Sequence, residues 1–268
     1  MQLYYINLDR RTDRRAAMER KLSALGLSAT RISAIAPADI TPDLIGAYTN
    51  LAHVEHVRLT ELACSLSHHR ALEAFLATND EHALILEDDV LLSGTVTDLV
   101  KAPLSGFDIL RLETYLDPQH IFTTAPHKLG AFEAYEIASR CAGAAAYIVN
   151  RHAAKAILAQ PSALSRPYDF VLFFPFRLPG RALRALQLVP ALAIQEDRFF
   201  GTPYQGDVQV NTGKTGTKPR HLIVPHALAY FWLSDAHINL VKTWRRLWGK
   251  TRRVFVQPDA SVARQTTD

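Results

Sequence analysis

Four apolar residues, Ala83, Leu84, Ile85 and Leu86, run without a break into three carboxylates, Glu87, Asp88 and Asp89. A short apolar run without polar alternation reads as a strand buried on both faces, the kind found in the middle of an α/β sheet. Residues 3–8, rich in aromatic and branched side chains, read as a second such strand at the start of the chain. A helix is expected after it, with Thr12 as N-cap, helix formers over 16–25 and Gly26 at its stop, and the next strand follows over 30–35. This strand–helix–strand opening predicts an α/β sheet. Further along, the pattern predicts a helix over 61–77 capped by Thr60, a strand over 82–86, strands over 107–112, 144–149 and 186–194, and a helix over 152–159.

In an open α/β sheet, ligands bind beyond the carboxyl ends of the strands. Three adjacent carboxylates placed there repel one another unless a cation or a proton intervenes. Carboxylate oxygens completed by phosphate and water are the usual cage for Mg²⁺ or Mn²⁺. If the strand continued, alternation would send Glu87 and Asp89 to one face and Asp88 to the other. The residues alone point to a metal–phosphate site or to an acidic turn that closes a strand. Phosphatases, receiver-like phosphoacceptors and nucleases all use such a cluster, so by itself it gives metal plus phosphate and singles out no one reaction.

The chain has 268 residues, 48% hydrophobic and 21% charged, which is ample for a packed core and excludes a disordered chain. Thirty basic residues stand against 26 acidic ones, a net charge of +4, too mild to imply nucleic acid. Six of the basic residues (Lys242, Arg245, Arg246, Lys250, Arg252 and Arg253) fall between His237 and Phe255 with no acid among them. They interleave with Trp244, Leu247 and Trp248, so that residues 237–255 read as an amphipathic helix that lies on an anionic membrane surface or packs on the domain. A division into a catalytic domain over 1–235 and a basic segment with a frayed tail over 236–268 is expected. Cys64 and Cys141 lack CxxC spacing and make no zinc site by themselves, which suits a reducing compartment. No signal peptide or spanning helix is read, and a cytoplasmic protein, peripheral on the inner face of the membrane, is expected.

Asn7, Asp9, Arg10, Arg11, Asp13, Arg14 and Arg15 cluster after the first strand, where the following helix opens. They read equally as an anion-binding turn or as a solvated helix start with internal Asp–Arg pairs. A Gly-, Thr- and Pro-rich stretch over 199–220 reads as a lid or as a surface loop. Within it, Gly213-Lys214-Thr215 is no P-loop, because Val208 stands where that pattern needs glycine.

Taken in order, Tyr5-Ile-Asn-Leu-Asp-Arg-Arg-Thr-Asp-Arg14, Glu61-Leu-Ala-Cys-Ser-Leu-Ser-His68, Leu84-Ile-Leu-Glu-Asp-Asp-Val90, Gly143-Ala-Ala-Ala-Tyr-Ile-Val149 and Arg166-Pro-Tyr-Asp169 resemble the motifs of glycosyltransferase family 25, the lipooligosaccharide-biosynthesis galactosyltransferases. Ala63 stands where that family usually has glycine. The resemblance covers residues 2–175. It implies a GT-A-like, single Rossmann-like domain with a mixed central sheet flanked by helices. It also implies a UDP-sugar donor, most often UDP-galactose, a saccharide or glycolipid acceptor, Mn²⁺ or Mg²⁺, and inversion at the anomeric carbon. By position, Asp89 and Asp88 would hold the metal, and Glu87 and Asp88 would contact the donor. Asn7, Arg10 and Arg14 would lie near the nucleotide, with Ser67 and His68 as further donor contacts. Inverting transfer needs a carboxylate base free of the metal. Asp169 is the candidate, against a reading as helix cap or partner of Arg166; Glu196 and Asp197 are in reserve. His226 is read as a distal metal ligand or as a core histidine.

Overall fold

The computed structural model describes residues 1–50, 56–123, 125–201, 240, 243 and 250–262. The first unit is β1 (Gln2–Asn7), α1 (Thr12–Ala24) and β2 (Thr30–Ser33), with β1 and β2 parallel and Asn7 opposite Ser33. Gly26 follows α1 at φ +64°, and the Leu27 N–H reaches back to the Leu22 carbonyl, closing the helix where the sequence predicts. After α2 (Pro42–Tyr48) and α3 (Leu59–Leu76), β3 (His82–Glu87) lies parallel to β1 with Glu87 opposite Ile6.

The chain then makes β4 (Val90–Leu92), α4 (Val96–Leu99), β5 (Ile109–Arg111), β6 (Glu113–Thr114), β7 (Gln119–Phe122), β8 (His127–Leu129), β9 (Phe132–Glu136) and β10 (Ala146–Asn150). It continues through α5 (Arg151–Leu158), α6 (Tyr168–Phe173), β11 (Ala185–Val189), β12 (Ala193–Gln195), α7 (Glu196–Phe200) and β13 (Thr251–Val254). The main sheet has the order β2-β1-β3-β10-β5-β11-β9-β8 and is mixed, since β10 runs antiparallel to both its neighbours. Among the described residues, two smaller sheets, β4-β12-β6 and β13-β7, hold the other strands.

The central strands bury both faces, as their unbroken apolar sequences require. Tyr4, Ile6 and Ile85 pack with Phe75 of α3 and Ile157 of α5 on one side. Leu3, Tyr5, Leu84 and Leu86 pack with Met18 and Leu22 of α1 and Leu99 of α4 on the other. The result is the expected α/β domain, a mixed sheet flanked by helices. Because β1 and β3 are parallel, their carboxyl ends, Asn7 and Glu87, meet at one edge.

Several local expectations are corrected. Helix α1 begins at Thr12 itself, after Arg11, and has no side-chain cap. Thr60 lies inside α3, whose start is closed by Glu61 Oε2 accepting the Arg58 N–H at 2.8 Å. The strand predicted over 186–194 is two strands in different sheets, separated at Pro190, which has no N–H to give a ladder. The amphipathic helix expected over 237–255 is corrected at its end, where Thr251–Val254 is a strand paired with β7. The tail over 257–268 that was expected to fray is packed as far as residue 262: Val262 is buried and Ser93 Oγ hydrogen-bonds Asp259 and Ser261 at 2.7 Å. Most of the amphipathic stretch over 237–250, His226 and nearly all of the loop over 199–220 lie outside the described residues.

Candidate active site

An open cleft lies at the carboxyl edge of β1 and β3, lined in part by Asn7, Arg14, Ser67, His68, Glu87, Asp88 and Asp89. Asp88 and Asp89 form the turn between β3 and β4, which sends the chain from the large sheet into a small one. Arg14, in the first turn of α1, places Nη1 3.0 Å from Asp88 Oδ1 and 3.2 Å from Asp89 Oδ2. Asn7 donates from Nδ2 to Asp88 Oδ2 at 2.6 Å and to the Arg11 carbonyl at 3.1 Å. On the opposite side, Gln195 at the end of β12 donates from Nε2 to Glu87 Oε2 at 3.4 Å and to Asp89 Oδ1 at 3.5 Å. Glu87 and Asp89 thus share Gln195, and Asp88 and Asp89 share Arg14; β3 ends at Glu87, so the alternation expected of a continuing strand does not apply.

One arginine and two amides do not neutralise three carboxylates. Burial, reinforced by the charge of Asp88, pushes Glu87 up to about 7; burial, reinforced by Glu87, does the same to Asp89. Such a set of clustered oxygens with uncompensated negative charge fits a hard divalent cation.

The remaining candidates divide. Ser67 is at the cleft, but its Oγ donates to the Ala63 carbonyl at 2.7 Å and accepts the Ile35 N–H at 2.8 Å, which ties α3 to the segment after β2. His68 is buried and stacks on Tyr168 at 4.2 Å; Nδ1 lies 3.1 Å from the Tyr147 hydroxyl and Nε2 3.2 Å from Glu87 Oε1. Burial depresses it to about 3, so the ring is neutral. Arg10 is exposed and does not line the cleft. Of the basic turn, Arg11 pairs with Asp13 and Arg15 with Glu19, the helix-start reading, while Arg14 alone follows the site reading.

Asp169 is the second residue of α6. It accepts the Phe170 N–H at 2.8 Å on Oδ1 and the Gly143 N–H at 3.4 Å on Oδ2. It does not line the cleft, yet its charge is one of the causes that raise Glu87. Its own pKa is raised by burial. Glu196 pairs with Lys21 at 2.5 Å, and Asp197 lies beside Arg198.

Sequence reasoning missed Gln195 and Glu113. The signal for Gln195 was its position directly after an apolar strand and before the reserve acids. Glu113 in β6 is fully buried; Oε2 accepts the Ala145 N–H at 2.7 Å, and a Cβ at Gly143, which holds φ +86°, would run into Oε1. Burial, together with the charges of Glu87 and Asp89, pushes it up to about 8 against the opposing pull of Arg111. A carboxyl with a raised folded pKa contributes stability that is complete below about pH 4.5 and falls as pH rises toward about 8. Glu113→Gln is therefore expected to flatten part of the loss of melting temperature between about pH 5 and 8.5. The gain at the alkaline end is several degrees, at roughly 2–4 °C per kcal/mol for a chain of this size. Parallel melting curves across pH for variant and wild type would discard this reading of Glu113.

The profile of glycosyltransferase family 25 (LPS biosynthesis protein) matches residues 1–172. The chain belongs to this family. Every lining residue named above falls within the matched span. Among curated relatives, a glycosyltransferase 25 family member of Aedes aegypti is 31% identical over 96 residues, 33% of this chain and 16% of the relative. This family 25 chain thus spans about a sixth of the length of that mosquito protein. The lipooligosaccharide biosynthesis protein lic2B of Haemophilus influenzae is 24% identical over 236 residues, 82% of this chain and 84% of the relative. Among solved structures, a glycosyltransferase involved in the glycosylation of the major capsid of PBCV-1 superimposes with a TM-score of 0.39 and 11% identity. That match covers 73% of this chain and 91% of the other, and residue roles are not carried over from it.

Proposed function

We propose that this chain is a metal-assisted, inverting glycosyltransferase that moves a hexose, galactose from UDP-galactose, to a saccharide acceptor of lipopolysaccharide or lipooligosaccharide. The observation that carries the reading is the cluster Glu87–Asp88–Asp89, gripped by Arg14 and Asn7 at the carboxyl edge of β1 and β3, within the span that matches the family. The acceptor class is supported by the similarity to the Haemophilus influenzae lipooligosaccharide biosynthesis protein.

In this reading Asp89 and Asp88 hold Mn²⁺ or Mg²⁺, which when bound offsets the charge that the departing diphosphate gains. Asn7 and Arg14 keep Asp88 and Asp89 pointed into the cleft, and Gln195 fixes Glu87 and Asp89 from behind. Asp169 takes the proton of the acceptor hydroxyl as that oxygen bonds the anomeric carbon and the bond from that carbon to the diphosphate oxygen breaks. A carboxylate whose pKa is raised by burial is suited to accept it. The basic segment over 236–268 is the proposed contact with an anionic membrane on its cytoplasmic face, where a glycolipid acceptor would be presented. Among the described residues no helix is long and apolar enough to cross a membrane.

The test is a panel of UDP-sugars with Mn²⁺ and no acceptor. Slow release of UDP from one UDP-hexose, UDP-galactose first, is the expected result. Release of inorganic phosphate would replace the proposal with a phosphate-handling enzyme. Thermal stabilisation without any turnover, with or without a saccharide acceptor, would replace it with a sugar-binding member of the family.

A further inference from the structure

Cys64 and His68 lie one turn apart on α3 and therefore share a face. That face meets the end of β3, and one ligand atom from each of Cys64, His68 and Glu87 lies within 4.8 Å of the others. All three line the cleft. We propose that they form a second cation site, distinct from the one assigned to Asp88 and Asp89, which takes a borderline-soft divalent ion of the zinc class through the Cys64 thiolate, His68 Nε2 and Glu87 Oε1, with its fourth position open to the cleft.

The donor set argues for such an ion. A thiolate and an imidazole beside one carboxylate suit zinc and discriminate against Mg²⁺, which prefers oxygen alone. Zinc bonds of about 2.0–2.3 Å set tetrahedral ligand atoms roughly 3.3–3.8 Å apart. His68 Nε2 and Glu87 Oε1 already stand 3.2 Å apart, and the widest gap must close by about an ångström, within reach of side-chain rotation.

The supporting contacts are also in place. His68 Nδ1 faces the Tyr147 hydroxyl, which in turn lies 3.2 Å from the Tyr168 hydroxyl, and Tyr168 stacks on the ring. An Nδ1–H donated to Tyr147 leaves Nε2 with its lone pair toward Glu87, the tautomer a ligand needs. Gln195 occupies Glu87 Oε2 and leaves Oε1 for the ion. The negative charges of Glu87, Asp169, Glu61 and Asp89 oppose thiolate formation in the free protein and favour a cation that replaces the proton. Cys64 accordingly stays a thiol without an ion, raised well above its ordinary pKa by burial and by Glu87.

The full chain titrated with Co²⁺ as a spectroscopic probe tests this. One equivalent should produce the near-ultraviolet thiolate-to-cobalt charge-transfer band and the strong visible bands of a four-coordinate ion. Zn²⁺ should bleach both, and excess Mg²⁺ should leave them. Cys64→Ser should lose the charge-transfer band with an unchanged circular dichroism spectrum, whereas Cys141→Ser should keep it. Asp89→Asn should also keep it, which makes the outcome independent of the transferase reading. No band in the wild type, a band that survives Cys64→Ser, or a band lost in Asp89→Asn would each overturn the site.

Discussion

Replacing Asp89 with asparagine is expected to weaken Mn²⁺-dependent binding of the sugar nucleotide by about 100-fold or more while the fold survives intact. Asp89 is 8% exposed, and its carboxylate meets Arg14 at 3.2 Å and Gln195 at 3.5 Å. Asparagine keeps the volume and one acceptor oxygen, so the packing of the turn between β3 and β4 is retained. Arg14 keeps Asp88 at 3.0 Å and is not left unpaired. What disappears is a negative charge, and a hard cation held by oxygen ligands depends on ligand charge. The same change relieves the cation-free protein at alkaline pH. With Asp89 pushed up to about 7, its ionised form opposes folding as pH rises from about 4 to 7 and beyond. Above that range the metal-free Asp89→Asn protein is expected to melt higher than metal-free wild type. Calorimetric titration of UDP-galactose with and without Mn²⁺, beside melting curves at about pH 8, separates the two effects. Undiminished metal-dependent binding would remove Asp89 from the metal site.

The parts of this molecule that were legible in the sequence are those fixed by local pattern. The unbroken apolar runs of β1 and β3 announce strands buried on both faces, and Gly26 stops α1 where a positive φ is required. The three carboxylates lie at the cleft, and they were legible because a strand end is a local feature. The small sheet β4-β12-β6 was not legible: its strands have two or three residues, too few for a period, and Gln195 reaches Glu87 across 108 positions of sequence. For the same reason Glu113 looked like an ordinary polar residue after Leu112. Its burial follows from the pairing of β6 with β12 and from the space left by Gly143, both long-range facts. Thr12 and Thr60 looked like caps because threonine can cap, yet α1 begins after Arg11 and α3 after Arg58. The basic turn shows the limit most plainly. Its arginines are chemically alike, and only the register of α1 against the turn after β3 singles out Arg14.

Asp169→Asn is expected to leave donor affinity within a few-fold of wild type and to reduce transfer by ~10²–10⁴, the usual worth of a positioned base. The acids of the cleft edge cannot take the acceptor proton if their lone pairs are committed to a cation, so the base must stand apart from them. Asp169 does: it sits on α6, outside the lining of the cleft, and still acts electrostatically on Glu87. Its two oxygens are held by the Phe170 and Gly143 N–H groups, which fix the carboxylate with no ion pair to it among the described residues. Burial raises its pKa, while Arg140 and Arg111 pull the other way, so it is a stronger base than an exposed aspartate. In the variant, the amide oxygen can keep the 2.8 Å bond from Phe170, while the longer and weaker bond from the Gly143 N–H is lost, because the amide nitrogen is itself a donor. The melting temperature should therefore move by only a few degrees, at roughly 2–4 °C per kcal/mol. The decisive measurement sets kcat for transfer against the dissociation constant of UDP-galactose in the same preparation. Near wild-type turnover would pass the role to Asp197 or to Glu196, the latter already tied to Lys21 at 2.5 Å. Loss of donor binding in a folded variant would make Asp169 a donor contact, and loss of both binding and fold would make it a structural brace for Gly143.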